Sequence, residues 1–529
     1  MRLFVWLLRV VIGAKKVFGF LPVVSGCVWW SASKVLPLRA QNVNIYMKRK
    51  SAPSALISFV PLLVLVAMLG VTISLFGDAA LAGGSQVCLL VAAAVCICIG
   101  MWRYGVSWQA FEEAIEKNVK RVATAMFILL LIGALSGMWM VSGIVPTMIC
   151  YGIDIIHPSL FLFCTCVVCA LVSVMTGSSW TTIATIGVAL LGVGQAQGFH
   201  EDWVAGAIIS GAYFGDKMSP LSDTTVLASS SVGVRLFTHI RYMLYTTLPA
   251  MVIALVVYLV VGFGHEGAGD DQIRFYSEVL RSKFCISPLA LIVPLVTGYL
   301  IYRRVPSLIT LFAGVLMAVV YGLMFQAEVL REVVDVPGGG WQTMVKGVMQ
   351  TVLGETHLSM GYEELDDLVS TRGMAGMMDT IWLILCAMCF GGCMMAGGFL
   401  EGVTRVFVRG ARRAVGLVAS TIGSGLFLNL ATADQYISII LTGNMFRQVY
   451  HDGGYEARLL SRTTEDAVTV TSPLIPWNSC GMTQATVLGV STWTYLPYCV
   501  FNYMCPLISM LMVATGYKIV RKAQAVAQQ

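Results

Sequence analysis

Apolar runs about as long as a membrane-spanning helix recur along most of the chain. A helix needs roughly 20 apolar residues to cross the hydrocarbon core of a bilayer. Runs of this kind cover residues 54–76, 85–102, 122–142, 158–175, 240–263, 286–302, 307–325, 380–400, 414–430 and 484–514. Only 12% of all residues are charged, about half the share in an average soluble protein. We therefore predict an all-α polytopic membrane protein with about 10–12 transmembrane segments, including broken or re-entrant helices.

The first 50 residues differ from the rest of the chain. Basic residues interrupt their apolar stretches, and no acidic residue occurs before Asp78. Met47 is followed by Lys48, Arg49 and Lys50 and then by the first uninterrupted apolar run. We expect residues 1–50 to form a basic extension, and a natural start at Met47 is one hypothesis for it. A signal peptide is less favoured, because no clear cleavage site follows a clear apolar core.

Three short segments recur in the same order in the two halves of the chain. The pairs, at offsets of 254, 256 and 253 residues, are 137–143 with 391–397, 176–180 with 432–436, and 219–221 with 472–474. Each match is weak alone, but together they indicate a duplication. We expect a first transmembrane repeat at 51–263 and a second at 264–517.

Basic residues are distributed in opposite ways in the two halves. Arg303 and Arg304 lie between the first two apolar runs of the second half, whereas the equivalent residues 77–84 of the first half include no basic residue. Because basic residues mark cytoplasmic loops, the two repeats are predicted to be inverted, as in many secondary transporters. The tail at 518–529 is then cytoplasmic. The segment 326–376 is predicted to be a solvated loop on the outer side.

Few ionisable residues fall at membrane depth, where a charge costs at least roughly 2.5–3.5 kcal/mol. They are Asp216, Lys217, Asp223 and Asp434, with Glu465 and Asp466 just before the last uncharged stretch. Prolines and hydroxyl residues accompany them in the segments 211–225 and 469–478. Proline breaks the helical ladder, and broken helices bind ions near the membrane midplane.

Carboxylate, hydroxyl and amide oxygens are the ligands that a hard cation such as Na+ prefers. The candidate ion- or proton-binding residues are Asp216, Lys217, Asp223, Asp434, Asp466, Thr176, Ser178, Ser179, Ser219, Thr432, Ser472 and Asn478. Within this set, the candidate Na+ ligands are Asp223, Asp434, Ser178, Ser472 and Asn478. Structural alternatives stay open: an Asp216–Lys217 ion pair, a helix cap at Asp223, and a boundary salt bridge from Arg462 to Glu465 or Asp466.

The same residues resemble the NhaC family of sodium/proton antiporters. The resemblance rests on residues 176–182, 211–225, 432–438 and 461–478, extends more weakly through 364–368 and 489–498, and covers about residues 50–515. It implies export of Na+ in exchange for H+ by an inverted-repeat transporter of the bacterial inner membrane. It also leaves a second activity open, because the family includes a proposed malate/lactate exchanger.

Other functional classes find less support in the sequence. Most of the 15 cysteines lie in apolar runs, where cysteine is usually a small buried apolar residue. Neither a metal-enzyme motif nor a nucleophile–base pattern occurs, so we expect no enzyme activity and no cofactor besides the transported Na+ and H+. The expected partners are the lipid bilayer and these ions, without nucleic acid, while homo-oligomer formation stays open. Lys217 is expected to be the sole buried cation of the motif regions, which favours a small cation over a carboxylate substrate.

Overall fold

The computed structural model is almost entirely α-helical, which confirms the fold class predicted from the apolar runs. It describes residues 53–76, 83–265, 270–303, 305–334, 340–362, 365–366, 369–409 and 413–519. The predicted extension at 1–50 and all of the tail beyond Ile519 lie outside these residues. Within the described parts, β pairing is limited to one isolated bridge between Thr356 and Thr371.

The helices of the first half are α1 Ala55–Phe76, α2 Gly84–Tyr104, α3 Trp108–Val141, α4 Ile144–Ile155, α5 Phe161–Thr176, α6 Ser179–Ala196, α7 Glu201–Met218, α8 Asp223–Val232 and α9 Leu236–Gly264. Those of the second half are α10 Asp270–Lys283, α11 Ile292–Tyr302, α12 Ser307–Phe325, α13 Ala327–Glu332, α14 Trp341–Leu353, α15 Met378–Ala396, α16 Phe399–Arg409, α17 Ala414–Thr432, α18 Gln435–Asp452, α19 Ala457–Thr464, α20 Ser479–Leu488, α21 Thr492–Tyr495 and α22 Val500–Ala514.

In the described part of the chain, nine helices are long and apolar enough to cross a membrane, or up to eleven spans if two bent helix pairs are counted as one span each. The run predicted at 484–514 is not one span. It is divided into α20, α21 and α22 because Gly489 adopts a left-handed φ of 71° and the chain bends by 55° near Cys499. The helices therefore form the polytopic bundle expected, with breaks that hydropathy does not show.

The segment 326–376 is not a simple solvated loop, in contrast to the prediction. It contains α13 and α14, and α14 packs against the membrane helix α3. Gly137 of α3 allows this approach, because a Cβ there would lie 2.6 Å from the carbonyl oxygen of Thr351. Leu358, Leu365 and Val369 are buried as well. The segment therefore belongs to the packed core of the described chain.

Helix bounds repeat at an offset of 256 residues between the two halves. A short 3-10 turn begins at Pro158 and leads into α5, and further helices begin at Ser179, Glu201, Asp223 and Leu236. These starts correspond to helix starts at Ala414, Gln435, Ala457, Ser479 and Thr492. The 176–180 match has this offset, whereas the Ser-Pro-Leu match, offset by 253 residues, is out of register with the helices and wrong as an equivalence.

The contacts between the halves are reciprocal. By the 256-residue offset, α9 corresponds to α21 and α22, and α7 corresponds to α19. Helix α9 packs against α19, and in the same way α22 packs against α7. Likewise α8 packs against α18, and α20 packs against α6. Reciprocal contacts are what a pseudo-two-fold arrangement produces. The opposite membrane orientation of the two repeats stays a prediction from the charges.

Helices α5 and α7 are packed so closely that glycine is required between them. A Cβ at Gly211 would lie 2.2 Å from the carbonyl oxygen of Cys166, and one at Gly215 would lie 2.3 Å from the Cβ of Ser173. Small residues spaced by four positions commonly permit such approach of membrane helices. This packing sets α7, which carries Asp216, against the C-terminal end of α5.

We expect Gly211→Ala to destabilise the protein by about 1–3 kcal/mol, because the added methyl group meets backbone that cannot move aside. Gly70→Ala in α1 is the matched control, since a Cβ there has nothing within 4 Å. Alanine favours helix by about 1 kcal/mol over glycine, so this control should be neutral or stabilising. The midpoint of thermal unfolding in detergent measures both, and equal midpoints would contradict the packing assignment.

Candidate ion-binding site

Two bent turns interrupt the helices at equivalent positions of the two halves. We call residues 176–182 the first bent turn and residues 432–438 the second bent turn. In each, a helix ends at a threonine, one residue adopts a left-handed φ, and a new helix begins two residues later. The left-handed residue is Gly177 (φ 70°) in the first turn and Ala433 (φ 55°) in the second. Backbone of this kind is tolerated at membrane depth where it is buried in protein or lines a cavity.

Both bent turns are held by the same hydrogen bonds. In the first, the Thr182 hydroxyl donates to the carbonyl oxygen of Ser178 at 2.9 Å, and the Ser178 hydroxyl accepts from the N–H of Thr181 at 3.2 Å. In the second, the Ser438 hydroxyl donates to the carbonyl oxygen of Asp434 at 2.8 Å, and the Asp434 carboxylate accepts from the N–H of Ile437 at 2.8 Å. Asp434 thus places a carboxylate where the first half has the hydroxyl of Ser178.

The first half has a buried carboxylate of its own, Asp216, which lies on α7 and not on the bent turn. The Ser179 hydroxyl donates to one carboxylate oxygen at 2.7 Å and the Ser222 hydroxyl donates to the other at 2.5 Å. At the equivalent place in the second half, the Ser472 hydroxyl donates to the Gln435 side-chain oxygen at 3.1 Å. Each half therefore supplies one buried carboxylate to its bent turn, Asp216 in the first half and Asp434 in the second. The equivalent positions of the other half, Ser472 and Ser178, carry neutral hydroxyl groups.

The two carboxylates converge on one region of the protein. Asp216 is 5% exposed and Asp434 is 3% exposed. The Tyr436 side chain, on the second bent turn, lies within electrostatic range of Asp216, Asp223 and Asp434. Tyr436 is 39% exposed and Asp223 is exposed, so this side of the region opens to the protein surface. The arrangement can hold a small cation between oxygens from both halves.

A second cluster, which we call the charge network, forms where Lys217, next to Asp216 on α7, meets two residues of the second half. It consists of Lys217, Arg462 and Asp466, all fully buried. Lys217 forms an ion pair with one oxygen of Asp466, which also accepts from the Thr246 hydroxyl at 3.0 Å. The other oxygen of Asp466 lies 3.4 Å from Nε of Arg462. Two cations thus share one carboxylate, and the binding of a transported ion at Asp466 stays a prediction.

The charge network corrects one prediction and settles two alternatives. Lys217 is not the sole buried cation of the motif regions, because Arg462 is equally buried. Lys217 pairs with Asp466 and not with its sequence neighbour Asp216. The salt bridge from Arg462 to Asp466 exists, but it is buried and not at a boundary.

Most of the remaining predicted residues lie near the two carboxylates, and one lies elsewhere. Thr176, Ser178, Ser179, Thr432, Ser472 and Asn478 belong to the bent turns or to the segments that face them. The Ser219 hydroxyl instead donates to the carbonyl oxygen of Val174 at 2.8 Å. Ser222, Gln435 and Tyr436 were not predicted, although the 256-residue offset pairs Ser222 with Asn478 and Gln435 with Ser179. Within the described chain, no group of three or more His, Cys, Asp or Glu residues is placed to hold a metal ion.

Apolar helices that break at two equivalent bent turns beside buried carboxylates are typical of secondary transporters. Residues 211–517 match the model of the Na+/H+ antiporter family. The chain is 36% identical to the Na(+)/H(+) antiporter NhaC of Alkalihalophilus pseudofirmus over 446 residues, covering 84% of this chain and 92% of that protein. The chain belongs to the Na+/H+ antiporter family.

Two further relatives carry other names. The chain is 33% identical to the malate-2H(+)/Na(+)-lactate antiporter of Bacillus subtilis, covering 82% of this chain and 89% of that protein. It is 32% identical to the arginine/ornithine antiporter ArcD of Halobacterium salinarum, covering 90% of this chain and 94% of that protein. The substrate therefore has to be argued from the site of this chain.

Proposed function

We propose that this protein is a secondary active transporter of the bacterial inner membrane that exports Na+ in exchange for H+. The observation that supports it best is the pair of buried carboxylates, Asp216 and Asp434, one from each half, that face a common region beside the bent turns. Each carboxylate accepts hydrogen bonds from neutral groups, and within the described residues neither forms a salt bridge, although Arg121 acts electrostatically on Asp434. Such carboxylates can exchange a sodium ion for a proton.

Competition of Na+ and H+ for these carboxylates couples the movements of the two ions. Na+ prefers oxygen ligands, and we assign its binding to Asp216 and Asp434, with oxygens of Ser178, Ser179, Ser472 and Asn478 completing the site. Asp223, exposed at the start of α8, attracts cations to the opening. A proton that neutralises the carboxylates removes the charge that holds Na+, so the two ions bind alternately.

The internal repeat supplies a way to open the site to each side in turn. The reciprocal helix contacts support a pseudo-two-fold relation of the bent turns, and the distribution of basic residues favours opposite orientations of the two repeats in the membrane. In this orientation the C-terminal tail is cytoplasmic. All the proposed ligands come from one chain, so the site does not need a second subunit.

Carboxylate exchange is the second candidate, and one finding favours it. The buried Arg462, unlike an exposed arginine, could recognise a carboxylate substrate, and one relative is a malate/lactate antiporter. Against this, both buried cations already contact Asp466. Counterflow of labelled malate in proteoliposomes tests this candidate directly.

The first experiment uses proteoliposomes with an acidic interior and an internal pH dye. Na+ added outside should raise the internal pH, because Na+ entry drives H+ exit. Protein-free vesicles under the same gradient provide the control. If tight vesicles containing the protein show no response to Na+ but exchange labelled malate, the antiporter proposal is wrong and the second candidate takes its place.

The hydrogen bonds to Asp216 lead to a prediction about apparent Na+ affinity. Ser222→Ala removes a donor to the ionised carboxylate, an interaction with a charged group worth about 1.5–3 kcal/mol, so the KM for Na+ should rise at least about tenfold. Ser219→Ala is the matched control, because the Ser219 hydroxyl is bonded to the Val174 carbonyl and not to Asp216. A series of Na+ concentrations in the dye experiment gives both values. Equal KM values for the two variants would exclude Ser222 from the site.

A further inference from the structure

Glu465 is a buried carboxyl group that the proposed Na+ site does not use. It is fully buried and begins a π-helical turn, Glu465–Thr469, that follows α19. Among the residues that the structure describes, neither of its carboxylate oxygens has a partner at hydrogen-bond distance, although the Thr469 hydroxyl at the end of the turn is close enough to act on the carboxyl group. Single π-helical turns occur frequently at functional sites.

The surroundings of Glu465 favour a proton over a metal ion. An ionised carboxylate without a donor is costly in a protein interior unless a counter-charge is near. A sodium ion at Glu465 would need several oxygen ligands, and it would be repelled by Lys217, which acts electrostatically on Glu465. A carboxyl group in its neutral, protonated form avoids the cost of burying a charge and needs no cation ligands.

The charge network can accommodate both forms of Glu465. Lys217 and Arg462 carry two positive charges against the single negative charge of Asp466. Ionised Glu465 balances the excess positive charge, whereas protonated Glu465 leaves it in place. The network thus supplies a counter-charge without forming a direct hydrogen bond that would hold Glu465 in one form.

The helices packed against this turn carry few other titratable groups that act on it. Besides Lys217, the strongest electrostatic neighbours of Glu465 are Asp216 on α7 and Asp466 on the turn itself. The elements that contact the turn also carry the buried groups Tyr213 on α7, His239 on α9, Arg462 on α19, Asp434 at the N-cap of α18, Tyr450 on α18 and Cys505 on α22, and the exposed groups Tyr436 on α18 and Asp223 on α8. Helix α17, which also packs there, carries none. Glu465 therefore lies between the carboxylate that we assign to Na+ and the charge network.

We infer that Glu465 is a proton-carrying residue of the transport cycle, distinct from the carboxylates that bind Na+. It takes up a proton as Na+ leaves Asp216 and Asp434 and releases the proton when Na+ binds, because the positive charge of Na+ near Asp216 disfavours a further proton close by. This role rests on the proposed Na+/H+ exchange and assigns part of its proton coupling to a residue outside the Na+ site.

Two fluxes measured on the same proteoliposomes test the role of Glu465. One is exchange of labelled Na+ for unlabelled Na+ at equal pH, which needs no net proton movement, and the other is Na+ uptake driven by a pH gradient. Glu465→Gln resembles the permanently protonated form, so Na+/Na+ exchange should continue, while the pH-driven flux should fall at least about tenfold, a typical size for coupling between two sites. Glu465→Asp, which keeps a titratable carboxyl group, should retain part of the pH-driven flux.

Glu328→Gln is the matched control, because Glu328 is exposed and lies outside the site and the charge network; it should leave both fluxes unchanged. Wild-type pH-driven flux in Glu465→Gln would overturn the inference. Loss of both fluxes in Glu465→Gln would also overturn it, since Glu465 would then be needed for Na+ binding or for folding. Absence of pH-driven flux in the wild-type protein would instead refute the proposed function itself.

Discussion

Asp434→Asn should abolish the Na+-dependent rise of internal pH in acid-loaded proteoliposomes. The substitution removes the negative charge that we assign to both Na+ and H+ binding. It should leave the second bent turn intact, because asparagine caps a helix about as well as aspartate and can still accept from the N–H of Ile437, which bonds Asp434 at 2.8 Å. The expected loss is at least about a hundredfold, since buried ionisable groups in membranes usually mark ion pathways.

Asp452→Asn is the matched control for this prediction. Asp452 ends the same helix, α18, and is exposed, and among the described residues its hydrogen bonds are to Gln448 and His451 on the same helix. It should transport like the wild type. If Asp434→Asn transports normally while Asp216→Asn does not, the ion is held by the first half alone and the paired-carboxylate site is wrong.

The spans could be predicted because a long helix in lipid is recognised by its composition. The run predicted at 240–263 becomes α9, Leu236–Gly264, and the run at 307–325 becomes α12 with the same bounds. The breaks were harder to predict, because they depend on single residues such as Gly489, whose left-handed backbone ends α20. The packing of α14 on α3 was missed because α14 is amphipathic and its partner lies far away in the sequence.

The site was partly visible in the sequence because its residues repeat. The match between the two bent turns has the structural offset, so Thr176 and Thr432 were paired correctly. The misplaced Ser-Pro-Leu match hid the pairing of Ser222 with Asn478 and drew attention to Ser219, whose hydroxyl bonds Val174. Similarity of residue types cannot show register when small residues and proline are common along the chain.

Long-range partners were beyond prediction from one sequence. Lys217 and Asp466 lie 249 residues apart, and each has a closer charged neighbour in the sequence. Folding brings α7 against the π-helical turn Glu465–Thr469, so that Lys217 pairs across the two halves while Asp216 is left to hydroxyl groups. Two arrangements of buried charge result: a network in which two cations share Asp466, and the carboxylates of Asp216 and Asp434, whose hydrogen bonds in the described chain come from neutral groups.

The two members of the ion pair should contribute unequally to stability. Asp466→Asn removes the carboxylate that Lys217 and Arg462 share, and breaking a buried pair in this way costs about 3–5 kcal/mol. Lys217→Met removes one cation but leaves Asp466 with Arg462 at 3.4 Å and the Thr246 hydroxyl at 3.0 Å. We therefore expect a larger fall in the midpoint of thermal unfolding for Asp466→Asn than for Lys217→Met, measured in the same detergent.

The double variant Lys217→Met with Asp466→Asn makes this comparison decisive. It leaves one unpaired cation, Arg462, where Asp466→Asn alone leaves two, so adding Lys217→Met should recover part of the stability lost with Asp466→Asn. Residues that share a network deviate from additivity by about 0.5–3 kcal/mol, and the deviation here should favour the double variant. If the two losses simply add, or if Lys217→Met is the more damaging change, Lys217 has an important partner other than Asp466. The charge network would then have to be redrawn around that partner.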